Sequence, residues 1–165
     1  MFIYLCFLLQ AIFMLKFVSL LFNPDINLPE PGVGIILQQN TSVLLLQDIY
    51  TGSWGFSTFY IEKFNPSQLD IFGAIQQLRE DTSYSGRFDF IITGPPCKYG
   101  KNYYWYANLQ TLEPPKLNNK KLYQNVKFMS RQEILKYLYY PTYDVEIWMD
   151  EGMPYSCLNR NSIYR

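Results

Sequence analysis

The apolar positions of the chain fall into short runs separated by polar turns. Residues 33–37 and 43–46 are apolar runs on either side of a polar stretch, which predicts a pair of strands. Residues 88–92, 103–109 and 123–129 predict three further strands. Because helical segments separate these strands along the chain, the pattern predicts an α/β fold with a mixed sheet flanked by helices.

Two segments carry the signals of helices. The apolar side chains that recur every three residues are Leu69, Phe72, Ile75 and Leu78. Their spacing predicts a helix over residues 67–80. Ser130 and Glu133 have the spacing of a capping box, so a second helix is predicted over residues 131–140, ending before Pro141.

The N-terminal segment differs from the rest of the chain. Residues 1–22 are almost entirely apolar, and they are numerous enough to cross a bilayer as a helix. Lys16 would be costly at membrane depth, which favours a helix packed on partner proteins and leaves a membrane span as the alternative. The prediction is therefore an apolar helix over 1–22, a Pro- and Gly-rich linker over 23–34, a folded domain over 35–145, and a C-terminal docking tail over 146–165.

The composition excludes several kinds of chemistry. The chain has 14 basic and 14 acidic residues, so its formal net charge gives no general attraction to nucleic acid. Histidine is absent, which removes the usual general base of serine and cysteine nucleophiles and all imidazole metal sites. Any contact with RNA must therefore come from a local basic patch, and a Ser-His or Cys-His active site is excluded.

Six lysines are candidates for contact with RNA or a protein partner. Lys98 and Lys101 lie beside the aromatic residues of the predicted strand 103–109, where bases could stack while the ammonium groups hold phosphate. The other four, in and after a Pro-rich loop, are Lys116, Lys120, Lys121 and Lys127. Aromatic packing within the sheet and a solvated basic loop are the alternative interpretations of the same residues.

Residues 54–84 resemble the signature segment of the Nudix superfamily, whose hydrolases cleave nucleoside diphosphate linkages. The chain has Trp-Gly-Phe at 54–56 and Ile-Glu-Lys at 61–63, followed by the predicted helix. The resemblance covers about residues 31–140 and implies a Nudix-like mixed sheet. It also implies that the helix once carried carboxylates for divalent metal.

Most of those carboxylates are missing. Gln76 and Gln77 stand where the family has an Arg-Glu pair, whereas Glu80 and Asp81 retain the two following acids. An amide places donor N–H groups where Mg²⁺ needs anionic oxygens, and adjacent helical acids do not face the same point. We therefore interpret Glu80 and Asp81 as solvated acids and expect no catalytic residues, no metal and no cofactor. A divergent hydrolase of the mRNA-decapping type, with metal held by Glu62, Glu80 and Asp81, is the alternative.

A non-hydrolytic branch of the superfamily gives the nearest resemblance, that of large-subunit ribosomal protein forty-six of mitochondria. The similar segments are the strand 42–46, the Pro-Pro-Cys loop 93–99, the aromatic strand 103–107 and the closing strand and helix 126–138. The resemblance implies a non-catalytic structural component of the mitochondrial ribosome at the central protuberance, in the matrix. It would bind neighbouring ribosomal proteins, with limited contact to rRNA. A membrane-anchored accessory subunit, held by residues 1–22, is a further alternative.

Overall fold

The structure is a computed structural model that describes residues 31–62, 65–85, 88–137 and 140–152. The strands in these parts are β1 Gly32–Gln39, β2 Ser42–Asp48, β3 Trp54–Gly55, β4 Ser57–Tyr60, β5 Phe90–Ile92, β6 Cys97–Tyr99, β7 Asn102–Leu109 and β8 Tyr123–Ser130. The helices there are α1 Ile71–Asp81, α2 Arg131–Tyr137 and α3 Tyr143–Glu151. The mixed α/β fold expected from the sequence is confirmed.

Strand β1 lies at the centre of one mixed sheet. It pairs in parallel with β7 and antiparallel with β2 and β4, and Val33 lies opposite Tyr103 in the parallel pair. The main path through the sheet is β3-β2-β1-β7-β5, with β8 joined to β2 and β6 joined to β7. Because β1 has neighbours along both edges, its backbone groups are paired and its side chains are buried on both faces.

Helices cover both faces of this sheet, and each face has its own apolar core. Side chains alternate along a strand, so successive residues of β1 point to opposite faces. The residues of the core under α1 include Val33, Ile35, Leu37, Ala74, Leu78 and Trp105. The core under α2 and α3 includes Ile36, Phe56, Tyr104, Ile134, Val145 and Trp148. The apolar face of each helix is thereby removed from water, which stabilises the fold.

Gly34 allows the ring of Tyr104 to cross the central strand. A Cβ atom at Gly34 would lie 2.6 Å from Cε1 of Tyr104, a separation that real Cβ atoms do not show. Tyr104 has no exposed surface, and it pairs directly with Gly34 in the β1–β7 ladder. The missing side chain therefore places the Tyr104 ring, and its hydroxyl, in a fixed position below the start of α3.

The predicted elements agree with the structure except at some boundaries. The capping box is confirmed, because the Ser130 amide donates to Glu133 Oε2 at 2.8 Å and the Glu133 amide donates to Ser130 Oγ at 3.3 Å. The first helix was predicted from residue 67 but begins at Ile71. The reason is that Asp70 is its N-cap and accepts a hydrogen bond from the Gly73 amide at 2.8 Å.

Three differences from the prediction shape the site described below. Strand β6 lies inside residues 93–100, which the sequence predicts as a loop, and β1 begins at Gly32, inside the predicted linker 23–34. Helix α3 was not predicted; it crosses the expected boundary between the domain 35–145 and the tail 146–165. Its apolar residues Val145, Trp148 and Met149 are buried against the sheet.

The predicted N-terminal helix over residues 1–22 and the rest of the tail lie outside the described residues. Among the residues that are described, no helix has both the length and the apolar character needed to cross a membrane.

Candidate active site

Two cavities lie side by side between β3–β4, the turn joining β6 to β7, and the start of α3. The larger has a volume of about 660 Å³ and the smaller about 330 Å³. The residues that line both are Gly55, Phe56, Thr58, Tyr60 and Thr142. The two cavities share these five lining residues, and we refer to the pair as the cleft. Its size lies in the range of small-molecule sites.

A hydrogen-bond network fixes the carboxylate of Asp144 in the larger cavity. Its Oδ2 accepts from the Tyr104 hydroxyl and from Asn102 Nδ2 at 3.2 Å. Asn102 is itself oriented, because its Oδ1 accepts from the Gly32 amide at 2.9 Å. The Tyr104 hydroxyl also contacts Thr58 Oγ1 at 2.8 Å. The second oxygen, Oδ1 of Asp144, has no hydrogen-bond partner in the described part of the chain.

The hydroxyl of Tyr104 stays protonated in this setting. Burial of the ring raises its pKa well above the ordinary value of 10.0, and the neighbouring charge of Asp144 raises it further. Burial also raises the pKa of Tyr60, with a smaller contribution from Asp144. Tyr104 is therefore a permanent donor to Asp144, and the carboxylate keeps one occupied and one open oxygen.

Two aromatic rings stand at the edge of the larger cavity. Tyr60 is 55% exposed and Tyr143 is 70% exposed, and both line the cavity together with Asp144. Gly100, with φ of 59°, lets the Tyr143 ring approach, because a Cβ there would lie 3.2 Å from its Cδ1. Two large rings that remain more than half in water beside a carboxylate are available to a flat ligand.

The hydroxyl of Thr142, a residue that lines both cavities, is an unsatisfied hydrogen-bonding group within the described ranges. Thr142 is the N-cap of α3, yet its side chain makes no capping hydrogen bond. Its Oγ1 is buried and has no partner among the residues that the structure describes, whereas the buried side-chain polar atoms of most proteins are paired. Thr142 lines both cavities, so this unpaired hydroxyl oxygen lies beside the cleft.

Asp48 is the carboxylate of the smaller cavity. Its Oδ1 accepts from the amide of Thr51 at 2.7 Å, from the Thr51 hydroxyl at 2.9 Å and from the amide of Tyr50 at 2.9 Å. The hydrogen bond from the Thr51 amide is the main cause that lowers the pKa of Asp48 below 3.8. The group is therefore ionised at neutral pH, and its Oδ2 has no partner among the described residues.

Asp81 lies behind the cleft, fully buried at the end of α1. Its Oδ2 accepts from the Ser57 hydroxyl at 2.7 Å, and its Oδ1 accepts from Gln77 Nε2 at 3.0 Å and Asn119 Nδ2 at 3.1 Å. Burial raises its pKa, and the three hydrogen bonds oppose that rise. The interpretation of Asp81 as a solvated acid is wrong, because the loop carrying Asn119 covers it.

The residues at α1 do not fit the divalent cation that the family resemblance implies. Both oxygens of Asp81 are held by protein donors, and Gln77 adds a further N–H where a metal needs an oxygen. Glu80 and Glu62 are exposed, and Glu80 accepts from Gln76 Nε2 at 2.9 Å. In the described ranges, no group of three or more acidic, histidine or cysteine side chains could hold a metal ion.

The predicted lysines are spread over several elements. Lys101 lines the larger cavity, and Lys98 places its ammonium 5.8 Å from the centre of the Tyr103 ring. Lys127 lies 3.8 Å from Glu133. The three in the loop before β8, all exposed, are Lys116, Lys120 and Lys121. Of the six, Lys101 is thus the one that the structure brings to the cleft.

Sequence reasoning missed the residues that define the cleft. Asp48, Asn102 and Asp144 come from three distant segments, two strands and the helix α3, and only the folded sheet with α3 packed on it places them around the two cavities. One signal could have been used: Thr142 follows Pro141 and precedes two acids, which is typical of a helix start. That signal predicts α3, and with it a helix N-terminus beside the sheet.

No protein-family model and no curated protein sequence matches the chain. Solved structures do share its fold. An Ap4A hydrolase from C. elegans superposes with a TM-score of 0.50 at 19% identity, covering 64% of this chain and 83% of that one. A MutT Nudix hydrolase from Burkholderia pseudomallei gives 0.51 at 11% identity, covering 76% and 98%. A Nudix-family hydrolase from Clostridium perfringens gives 0.53 at 11%, covering 74% and 95%. The chain therefore has the Nudix fold.

These comparisons correct part of the prediction from sequence. The expected non-enzymatic component of the mitochondrial ribosome is wrong, because the solved structures that share the fold are Nudix hydrolases and nothing in them points to a ribosomal protein. The vestigial positions Gln76, Gln77, Glu80 and Asp81 do lie on the expected helix. The mitochondrial location and the protein partners stay predictions.

Proposed function

We propose that the chain is a divergent hydrolase that binds a nucleoside polyphosphate in the cleft and cleaves one of its phosphate linkages. The observation that carries the proposal is the cleft itself, which has one carboxylate in each cavity, Asp48 and Asp144, and a Thr142 hydroxyl that has no partner among the described residues. The Nudix fold supports the same class of reaction, since the structures that share it are hydrolases.

Asp48 is the residue to which we assign the activation of water. Three hydrogen bonds to Oδ1 fix the orientation of its carboxylate, and the open Oδ2 can accept a proton from a water molecule. The oxygen of that water forms a bond to a phosphorus atom, one P–O bond of the linkage breaks, and the leaving phosphate departs with that electron pair as an anion. The proton of the water passes to Asp48 and then to the solvent. The lowered pKa of Asp48 makes it a weak base that is always in the active form.

The other groups of the cleft match a phosphate chain. Lys101 lines the larger cavity together with Asp144 and brings a positive charge to it. The Thr142 hydroxyl can donate to a phosphate oxygen, which would give it the partner that it lacks within the described chain. Positioning by such groups contributes much of the rate enhancement in phosphoryl transfer.

The test is hydrolysis by the purified full chain of Ap4A, a nucleoside triphosphate and a capped dinucleotide. Each reaction is run with Mg²⁺ and with a chelator, which separates an ion carried in by the substrate's phosphates from the action of the side chains. We expect Asp48→Asn to lower kcat about 100-fold or more with little change in KM, because general-base catalysis contributes about that much. Asparagine keeps the oxygen that accepts from Thr51, so the turn should persist.

Asp150→Asn is the matched control, because Asp150 is an exposed acid of α3 that lines neither cavity. It should leave kcat unchanged. Absence of turnover with all three substrates would refute the proposed activity. Turnover that survives Asp48→Asn would refute the assignment of Asp48.

A further inference from the structure

The larger cavity carries a hydrogen-bond acceptor that the fold leaves open. Oδ2 of Asp144 is saturated by two donors, the Tyr104 hydroxyl and the Asn102 amide, whereas Oδ1 accepts nothing from the described residues. A carboxylate that is held in one orientation and has one unpaired oxygen favours a ligand with an N–H donor. This asymmetry restricts the chemistry of what can bind there.

The walls of the same cavity restrict its shape. Tyr60 and Tyr143 line it and keep more than half of their surface in water. A planar base can stack on such rings, because every base has an aromatic face. The volume of about 660 Å³ accommodates a two-ring base with its sugar.

We propose that the larger cavity selects purine nucleotides with an exocyclic amino group, which donates to Oδ1 of Asp144 while the base stacks on Tyr60 or Tyr143. This inference rests on the proposed function, whose substrate class it narrows. It places the base in the larger cavity and the phosphate chain along the residues that line both cavities, towards Asp48. The amino group on C6 and the amino group on C2 provide the same chemistry, and the experiment separates them.

Asn102 makes the effect of Asp144→Asn predictable. Its Oδ1 is used by the Gly32 amide, so its Nδ2 faces position 144 and can only donate. The asparagine that replaces Asp144 must therefore turn its carbonyl oxygen towards Asn102 and its own amide N–H groups towards the cavity. A donor then meets the ligand's amino group, which is also a donor, and the preference for that group is lost.

The experiment is equilibrium binding to the full chain, measured by isothermal titration calorimetry with two matched pairs of monophosphates. AMP and purine riboside monophosphate differ only in the amino group on C6, and GMP and IMP differ only in the amino group on C2. In at least one pair the amino compound should bind about 10- to 100-fold more tightly, the range expected for a hydrogen bond to a charged group. Asp144→Asn should bring that ratio close to one.

Two variants provide controls. Glu146→Gln removes another acid from the first turn of α3 at an exposed position outside the cavity, and the ratio should survive it. Tyr143→Leu should lower the affinity for both monophosphates of a pair by the same factor, because it removes stacking and leaves Asp144 in place.

Ratios near one in both pairs for the unmodified chain would overturn the inference, and so would a ratio that persists in Asp144→Asn. The results separate this inference from the proposed activity. Selective binding without hydrolysis supports the inference and refutes the hydrolase, whereas hydrolysis without selectivity does the reverse. Absence of nucleotide binding refutes both.

Discussion

Replacement of Asp81 tests whether the buried carboxylate at the end of α1 holds the fold together. It joins three parts of the chain: β4 through the Ser57 hydroxyl, α1 through Gln77, and the loop before β8 through Asn119. The backbone oxygen of Asp81 also accepts from the amide of Asn118 at 3.0 Å. Asp81→Ala removes the shared acceptor, whereas Asp81→Asn keeps its size and one acceptor oxygen.

The structure gives the size of the two effects. In Asp81→Ala the Ser57 hydroxyl, 2% exposed, loses its acceptor, and a buried unpaired group of this kind costs about 1–3 kcal/mol. The amides of Gln77 and Asn119 are half-buried and can turn towards water, so they add less. We expect a total loss of about 2–4 kcal/mol, or about 6–12 °C in Tm for a chain of this length.

At neutral pH, the free energy of unfolding of Asp81→Asn should equal or exceed that of the unmodified chain. Its carbonyl oxygen accepts from Gln77 and Asn119, and its amide donates to Ser57 Oγ, which can act as an acceptor. Burial raises the pKa of Asp81 above its ordinary 3.8, so between that value and the raised pKa the folded state binds more protons than the unfolded state. The unmodified chain therefore loses stability relative to Asp81→Asn as pH rises through this window.

Urea denaturation of the three proteins from about pH 4 to about pH 8 measures both effects. Equal losses in Asp81→Ala and Asp81→Asn would refute the reasoning, because they would show that the negative charge matters more than the three donors. A difference between the unmodified chain and Asp81→Asn that does not change with pH would refute the linkage.

Three further outcomes follow from the cleft and the central strand. Thr142→Val should raise the free energy of unfolding by about 1 kcal/mol and weaken AMP binding, as measured by urea denaturation and calorimetry; a loss of stability would show that the hydroxyl has a partner after all. Gly34→Ala should lower stability by about 3 kcal/mol, because its Cβ would overlap the backbone oxygen of Ser57 and lie 2.6 Å from Cε1 of Tyr104, and unchanged urea denaturation would contradict this. Gly100→Ala should cost about 1–2 kcal/mol at its positive φ and weaken AMP binding by displacing Tyr143; unaltered affinity would count against the stacking assigned to that ring.

The sheet was predictable from sequence to the extent that burial leaves a local pattern. Strands β1 and β2 are buried over most of their length, so they appear as continuous apolar runs. Helix α3 could also have been found, because Val145, Trp148 and Met149 have helical spacing after the start signal at Thr142. The prediction from sequence instead places residues 146–165 in a C-terminal docking tail, which divides this helix between the tail and the domain.

The cleft could not be predicted, because its chemistry depends on contacts between distant segments. The sequence around Asp81 is typical of a solvated acid, and only the structure shows that Asn119 binds its carboxylate. The orientation of Asp144 likewise depends on hydrogen bonds from the distant residues Asn102 and Tyr104. The sequence did identify which carboxylates the helix lacks. It could not show that other carboxylates, those of Asp48 and Asp144, line two cavities elsewhere in the fold.

The central position of β1 has a consequence for how the protein is made. Its parallel partner, β7, begins 70 positions after β1 in the chain, and β8, which pairs with β2, comes later still. A ribosome must therefore synthesise most of the domain before β1 and β2 can find their last neighbours. Until then the apolar strands β1 and β2 have unpaired backbone N–H and C=O groups along their edges. We therefore expect slow folding, in milliseconds to seconds, and a nascent chain that depends on chaperones.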